Sequence, residues 1–256
     1  KVQPMVTLVR SYLLAGKTGE AMDFLGSVIQ ASPDNVTALL LLGELQAANG
    51  NNTEAAQRFE QVISLQPQNT AGYTNLANLR MREGHTDAAE QVVGRGLLVL
   101  PGNFDLLMAQ ASIYEVSSRF EEAITAYEAL LKKYPGSDVV VNNLASLLSE
   151  HRTDQASLLR AYEMTQRFNR SDAPYFKDTL GWASYRLGKV EEALPLIESA
   201  VRQLPEQPVF RYHLGVSYAA LNRKELARQE LEKALELSQD NTLQSTEQIR
   251  RALESL

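Results

Sequence analysis

Apolar residues recur three and four positions apart along nearly the whole chain, which is the spacing of amphipathic helices that pack on one face. Residues 5–14 show this spacing near the amino end, and residues 178–201 show it near the carboxyl end. The helical segments come in pairs, because glycines mark the end of one segment and prolines the end of the next. The pattern therefore predicts an all-α chain of successive helical hairpins.

Four columns of residues recur at a step of 34 positions within each half of the chain. The turn column is Gly16, Gly50, Gly84, Ser118, Gly188 and Asn222, and the proline column is Pro33, Pro67, Pro101, Pro135 and Pro205. The alanine column is Ala21, Ala55, Ala89, Ala123, Ala193 and Ala227, and the leucine column is Leu8, Leu42, Leu76, Gln110, Leu144, Leu180 and Leu214. A small residue follows the leucine column in all but the first unit, which lets the second helix of each hairpin approach the first closely. A hairpin of this size cannot bury its apolar face alone, so stacked neighbours must supply the core.

These columns resemble the tetratricopeptide repeat, a helix–turn–helix unit of 34 residues. The resemblance predicts units at 2–35, 36–69, 70–103, 104–137, 138–173, 174–207 and 208–241, with a capping helix at about 242–256. It implies an all-α fold, a right-handed α-solenoid or superhelix of stacked hairpins, forming a single domain over 1–256. The bulky residue expected early in each first helix is replaced by Lys177 and Arg211 in units six and seven, so packing there departs from the family pattern.

The fifth unit and the two ends are irregular. Unit five has 36 residues and carries Arg152 where glycine is expected; a bend in the superhelix and a silent insertion both stay open. Near the carboxyl end, one side of the last helix is apolar, as a terminal cap requires; its residues are Leu243, Ile249, Leu253 and Leu256. Unit one starts with an apolar helix and no cap, and the chain begins with Lys1, which predicts a piece of a longer protein with further repeats before it.

Several classes of function are disfavoured by composition and motif. Gly16-Lys17-Thr18 matches the end of a phosphate-binding loop, but Ser11 stands where that loop needs its first glycine. Cysteine is absent and the three histidines are scattered, so no metal or cofactor site is predicted. A net charge of −6 disfavours nucleic acid as the partner, and no apolar run is long enough to span a membrane. No Ser-His-Asp or glycine-rich catalytic arrangement stands out in this piece, so we predict a non-catalytic protein.

The family resemblance implies that first helices line a concave groove for peptides or protein segments. By column, the predicted partner-binding residues are Tyr175, Asp178, Trp182, Tyr185, Arg186, Tyr212, Asn78, Arg82 and Asn142. Aromatic residues beside an arginine are typical of binding hot spots. Two alternatives to partner binding stay open. In one, the aromatic rings, Trp182 above all, pack between neighbouring first helices. In the other, the polar residues form a solvated wall of the groove. The column that holds a lysine in carboxylate-clamp co-chaperones has none here, which disfavours that mode.

The stretch at 178–201 resembles repeats in bacterial exopolysaccharide and envelope sorting systems. This resemblance implies a scaffold that binds a peptide or protein segment within an envelope assembly, with a periplasmic or envelope location favoured over a cytoplasmic one. The alternative is a substrate-selecting module of a larger enzyme, such as a glycosyltransferase, whose catalytic domain lies outside this piece. A signal peptide or lipid-anchor cysteine in the full-length gene would favour the first, and a downstream catalytic domain the second. The sequence names neither the partner nor the oligomeric state.

Overall fold

The computed structural model describes residues 2–238 and 243–256, and over these residues the chain forms fifteen α-helices and no strand. The predicted all-α repeat of helical hairpins is confirmed. Two compact units divide the chain, Lys1–Ala126 and Tyr127–Leu256. The bounds of the seven repeats and of one continuous domain stay a prediction.

The first unit contains α1 to α7 and the start of α8. Their bounds are α1 Val2–Leu14, α2 Thr18–Ala31, α3 Val36–Ala48, α4 Asn52–Leu65, α5 Thr70–Arg82, α6 Thr86–Val99, α7 Phe104–Val116 and α8 Phe120–Lys133. Side chains cap some first helices: Asn35 accepts a hydrogen bond from the Ala38 amide, and Asn103 accepts one from the Leu106 amide. The second helices α2, α4, α6 and α8 each end two residues before the proline column, as predicted.

The turn column has the left-handed backbone that ends a helix. Gly16 has a φ of 71°, and the equivalent Gly50 and Gly84 have φ of 81° and 77°. Ser118 takes the same conformation with a φ of 58°. Gly16 therefore ends a helix in a tight turn, which confirms the interpretation of Gly16-Lys17-Thr18 as part of the repeat architecture.

The alanine column marks the crossing of the two helices in a hairpin. All six alanines of this column have no exposed surface. In the first unit, a Cβ added to Gly43 would lie 2.7 Å from Phe59 Cε1, so only glycine fits there. The leucine column is buried at Leu42 and Leu76, whereas Leu8 on α1 is 40% exposed.

The second unit continues with α9 Asp138–His151, α10 Gln155–Thr165, α11 Pro174–Arg186, α12 Val190–Gln203, α13 Pro208–Ala220, α14 Lys224–Leu237 and α15 Leu243–Glu254. The small column again sets the helix approach, because a Cβ on Gly181 would lie 2.6 Å from Ile197 Cγ1 and 3.2 Å from the Ala193 carbonyl oxygen. Gly215 is equally close to Leu231. The first helices α9, α11 and α13 are neighbours, since α11 contacts both of the others.

The irregular fifth unit has a changed turn and a shortened second helix. Arg152 has a φ of −108° and a ψ of 148°, an extended backbone that needs no glycine. Asp154 then caps α10 by accepting a hydrogen bond from the Ser157 amide at 2.9 Å. A short 3₁₀ turn, Gln166–Phe168, follows α10. The two alternatives for this unit, a bend in the superhelix and a silent insertion, both stay open.

Helix α15 packs on the end of the second unit. Ile249 is buried against Leu231 and Ala234, and Leu253 and Leu256 join the same cluster. This is the arrangement expected of a capping helix. The side chain of Leu243 and residue 242 lie outside the described residues. Along the described chain, each helix is too short or too polar to cross a membrane.

Candidate partner-binding surface on three neighbouring first helices

The predicted site residues fall in both units. Asn78 and Arg82 lie on α5 in the first unit, and both are exposed. The other seven lie on the first helices of the second unit, with Asn142 on α9, Tyr175, Asp178, Trp182, Tyr185 and Arg186 on α11, and Tyr212 on α13. The structure brings five of them together around Trp182.

Three aromatic residues form what we call the aromatic platform: Trp182, Tyr185 and Tyr212. The Tyr185 ring stacks on Trp182 with centroids 4.9 Å apart and an interplanar angle of 6°. Such a pair forms because residues three apart on a helix are neighbours on its surface. The Tyr212 ring from α13 lies 6.0 Å from Trp182 at 56°. The platform therefore joins α11 to α13.

Trp182 is the buried member of the platform. Its second face stacks on the imidazole of His213, with centroids 4.0 Å apart and an interplanar angle of 11°. With Tyr185 on one face and His213 on the other, the indole is only 5% exposed. The structure thus favours the alternative in which Trp182 packs between neighbouring first helices over a direct contact with a partner. Tyr185 and Tyr212 remain half-buried.

A charged triad of Glu150, Asp178 and His213 lies next to the platform and contacts it through the His213 ring. His213 Nδ1 lies 2.9 Å from Asp178 Oδ2, and His213 Nε2 lies 3.1 Å from Glu150 Oε1. Burial alone would lower the pKa of His213, but the charge and hydrogen bond of Asp178, with those of Glu150, raise it to about 9. The imidazole is therefore protonated at neutral pH, and both ring nitrogens donate. The triad joins α9, α11 and α13.

Asp178 does not fit its prediction as an open contact in the groove. The residue is 4% exposed, and both carboxylate oxygens lie within hydrogen-bond distance of His213. A carboxylate buried to this extent needs a charged partner, and the imidazolium supplies it. Asp178 is therefore an internal partner that holds α11 to α13.

Arg186 is also anchored inside the protein. Its guanidinium donates to the Ser149 carbonyl oxygen and, at 2.9 Å, to the Arg152 carbonyl oxygen. These acceptors belong to the carboxyl end of α9, whose last carbonyls have no partner within the helix. Arg186 thus caps α9 in the unit that lacks the turn glycine, and its guanidinium carbon lies 5.8 Å from the Trp182 ring centroid. The guanidinium that was predicted to bind a partner is therefore already used inside the protein.

Polar groups that remain on the surface of the site come from Glu150, Tyr185 and Tyr212. The Glu150 side chain is 26% exposed, and its Oε1 accepts from His213. Burial would raise the pKa of Glu150, but the hydrogen bond and charge of His213 outweigh it and hold that pKa below its usual range. Burial raises the pKa of Tyr185 and, with the negative charge of Glu150, that of Tyr212. The surface thus presents one carboxylate and two neutral phenols.

The remaining predicted residues lie apart from this cluster. Tyr175 is half-exposed, its ring meets Phe210 edge to face at 5.3 Å, and its hydroxyl accepts from Gln207 at 3.3 Å. Asn142 donates to Asn143 Oδ1 at 3.4 Å, and its own Oδ1 is buried without a hydrogen-bond partner among the described residues. In the first unit, Asn78 and Arg82 belong to a polar face on which Asn75 donates to Glu44 at 2.9 Å.

Sequence reasoning missed His213, the residue that holds the site together. The three histidines were judged as metal ligands by their spacing, and His213 does not serve that role. Among the described residues, no cluster of histidine and carboxylate side chains has the geometry of a metal site. The available signal was Asp178 on a groove column, because a carboxylate that turns inward needs a buried cation.

Family models described as tetratricopeptide repeat match residues 12–57, 46–113, 105–137 and 179–242. Together these segments cover more than half of the chain. A TPR repeat-containing protein of Pseudomonas aeruginosa is 24% identical over 201 residues, which is 77% of this chain and 33% of that protein. The chain thus spans about a third of the length of this relative.

Two further relatives carry more specific names. The cellulose synthase operon protein C of Pseudomonas fluorescens is 25% identical over 103 residues, which is 40% of this chain and 8% of that protein. The human protein O-mannosyl-transferase TMTC1 is 24% identical over 230 residues, covering 89% of this chain and 25% of that protein. Among solved structures, a tetratricopeptide repeat protein from Parabacteroides merdae shares the fold with a TM-score of 0.69 and 17% identity, over 99% of this chain and 97% of its own.

Proposed function

This chain belongs to the tetratricopeptide repeat family, and on that premise we propose that it binds a peptide or protein segment across the aromatic platform of its second unit. The family and fold support a protein-interaction scaffold. The observation that carries the choice of surface is the stack of Tyr185 on Trp182 on His213, held by the carboxylates of Asp178 on α11 and Glu150 on α9. Binding hot spots combine aromatic residues with a rigid support that limits the entropy lost on association.

Within the platform, Tyr185 is the residue that meets the partner. It is the outermost ring of the stack and remains half-buried, whereas Trp182 is covered on both faces. A tyrosine in this position offers a large apolar face together with a hydroxyl group. Trp182, Asp178 and His213 position it.

The test is selection of peptides from a random displayed library on the folded wild-type chain, followed by affinity measurements on two variants. Tyr185→Ala removes the outer ring, and we expect it to weaken binding at least about tenfold. Tyr162→Ala is the matched control, because Tyr162 is a half-buried tyrosine on second helix α10, where its hydroxyl meets Lys189 at 2.8 Å. Circular dichroism checks that both variants keep their helix content.

Peptides that bind Tyr185→Ala as tightly as wild type, or that lose affinity only for Tyr162→Ala, would place binding elsewhere. A library that yields no binding peptide would count against peptide recognition by this chain. Arg186 variants are unsuitable for this test, because removal of its guanidinium also uncaps α9.

The proposed setting is a bacterial envelope or exopolysaccharide assembly, with the protein in the periplasm or at the envelope. The named similarity to a cellulose synthase operon protein supports this setting, over the 40% of the chain that it covers. Cell fractionation of the host with an antibody to this chain tests it. Recovery in the envelope or periplasmic fraction would support the proposal, and recovery in the cytoplasm would contradict it.

A second candidate is favoured by a specific relative. The similarity to a human O-mannosyl-transferase extends over 89% of this chain and 25% of that protein, which fits a repeat module attached to a transferase. In that case the same platform would select the protein substrate of a catalytic domain elsewhere in the protein. The full-length gene separates the two: a catalytic domain supports this candidate, and a signal peptide or lipid-anchor cysteine supports the envelope scaffold.

A further inference from the structure

Three cations on the first helices of the second unit, Lys177, Arg186 and Arg211, are engaged by other groups. Lys177 on α11 lies 3.2 Å from Asp172 and from the Ser199 hydroxyl. Arg211 on α13 lies 2.6 Å from Glu230 and donates to a backbone carbonyl at 2.8 Å. Arg186 donates to two carbonyl oxygens at the end of α9. These contacts occupy donors of the three side chains, and Arg186 stays close enough to the platform for its charge to lower the pKa of Glu150.

The negative charge beside the platform is different, because Glu150 keeps part of its carboxylate on the surface. In the charged triad two carboxylates share one imidazolium, so the triad carries one excess negative charge. Asp178 is the buried member and uses both oxygens on His213. Glu150 uses Oε1, and no hydrogen bond reaches its Oε2 within the described part of the chain. The Glu150 side chain is 26% exposed, so part of it can be reached from the surface.

Two phenol rings belong to the same cluster as this carboxylate. The Tyr212 ring centroid lies 5.8 Å from that of His213, whose Nε2 meets Glu150, and 6.0 Å from that of Trp182, on which Tyr185 stacks. An aromatic ring attracts a cation to its face, and the attraction grows when the site is partly desolvated. A carboxylate with two half-buried rings is therefore suited to a guanidinium or ammonium group.

Resting on the proposed function, we infer that the partner segment is basic and that it seats an arginine or lysine side chain on Glu150 between the rings of Tyr185 and Tyr212. An acidic segment fits poorly, because Glu150 repels a carboxylate and the Arg186 guanidinium is turned to the α9 carbonyls. The chain's net charge of −6 attracts a basic segment at longer range.

The test uses peptides selected on the wild-type chain and measures their affinity before and after removal of charge on each side. On the peptide, each arginine is replaced by citrulline and each lysine by acetyl-lysine. On the protein, Glu150→Gln removes the charge but keeps an oxygen that accepts from His213. Glu163→Gln is the matched control, since Glu163 is an exposed carboxylate on second helix α10 of the same unit.

We expect neutralisation of one basic residue to weaken binding to wild type about tenfold, and to have little effect on binding to Glu150→Gln. On Glu163→Gln, neutralisation of the same peptide residue should weaken binding as much as it does on wild type. Equal losses on wild type and Glu150→Gln would overturn the inference, as would selected peptides without basic residues. Should Glu150→Gln disturb the fold, the citrulline and acetyl-lysine peptides on wild type decide alone, and unchanged affinity overturns the inference.

Failure here is distinguishable from failure of the proposed function. Peptides that depend on Tyr185 but lack a charge-dependent contact would leave the platform as the binding surface and reject only the basic partner. Peptides that ignore Tyr185 would reject the platform itself.

Discussion

Glu150 and His213 are 63 positions apart in the chain, yet Glu150 Oε1 and His213 Nε2 lie 3.1 Å apart. The contact passes over the intervening first helix, whose Asp178 meets the other nitrogen of the same imidazole at 2.9 Å. Three successive first helices thus share one buried cation. In a repeat array most contacts join only adjacent repeats. This triad also joins the fifth repeat to the seventh, and it therefore stabilises the second compact unit over a longer range.

The stability of the second unit should depend on the protonation of His213. Its pKa is raised from 6.5 to about 9 in the folded protein, so the stabilisation is complete below pH 6.5 and is lost as pH rises toward 9. The free energy of unfolding should fall on the order of 3 kcal/mol over that interval. Urea unfolding followed by the emission of Trp182, the chain's one tryptophan, measures this locally. A free energy of unfolding that does not change between pH 6.5 and 9 would contradict the claim that His213 is protonated in the folded protein.

Replacement of His213 alone should lower the free energy of unfolding more than replacement of His213 and Asp178 together. His213→Leu leaves Asp178 buried without a charged partner, and we expect a loss of about 3–5 kcal/mol. Asp178→Leu combined with His213→Leu should recover much of that loss, because Glu150 can hydrate at the surface. Urea unfolding of the two variants and wild type checks this. A double variant no more stable than His213→Leu would show that packing against Trp182 dominates instead.

Two turn positions hold a residue other than glycine in the left-handed region, and they offer a stabilising change. Ser118 and Asn222 both have a φ of 58°, a conformation that costs an ordinary side chain more than glycine. Ser118→Gly should stabilise by about 0.5–1 kcal/mol and Asn222→Gly by less, because asparagine tolerates this region better. Thermal unfolding measures both effects.

Arg152→Gly is the control for the turn variants, because Arg152 occupies the equivalent place in the fifth unit with an extended backbone. Glycine there should destabilise by at least about 0.5–1 kcal/mol, because it raises the chain entropy of the unfolded state. A gain in stability at this position would mean that the turn of the fifth unit prefers the left-handed form after all.

The close crossing of α11 and α12 should depend on the missing side chain of Gly181. A Cβ there would lie 2.6 Å from Ile197 Cγ1 and 3.2 Å from a backbone oxygen, so Gly181→Ala should cost about 1–3 kcal/mol. Gly94→Ala is the opposite case, since Gly94 lies inside α6 with no atom within 4 Å of the added Cβ, and helix propensity should make it stabilising. Chemical unfolding of both variants tests the contrast, and equal effects would contradict the close crossing.

The columns predicted the fold because their residues act within a hairpin or between neighbouring hairpins. Gly16 and Ala55 illustrate this, since one ends a helix and the other sits fully buried at a crossing. His213 could not be predicted in this way. The equivalent positions in the other units hold Thr7, Leu41, Asn75, Ala109, Asn143 and Thr179, so the position carries no repeated signal. Its role depends on Glu150 two units away, and only the packing of three helices brings the two together.

The exposure of individual site residues was also beyond the sequence. Trp182 and Tyr185 both fall on groove columns, yet one is covered on both faces and the other is half-buried. The difference arises from His213, which fills the space beside the indole. Residue type and column therefore located the cluster, and the charged triad decided which ring faces a partner.

The most direct measurement of the central claim is the emission of Trp182 during titration with a peptide selected on this chain. Because Trp182 stacks on Tyr185 and is the one tryptophan present, its emission reports changes at the platform. If the partner segment binds across Tyr185, emission should change saturably with the dissociation constant measured independently, and Tyr185→Ala should weaken both. Saturable peptide binding that leaves the emission of Trp182 unchanged would contradict the account and place the partner on another surface.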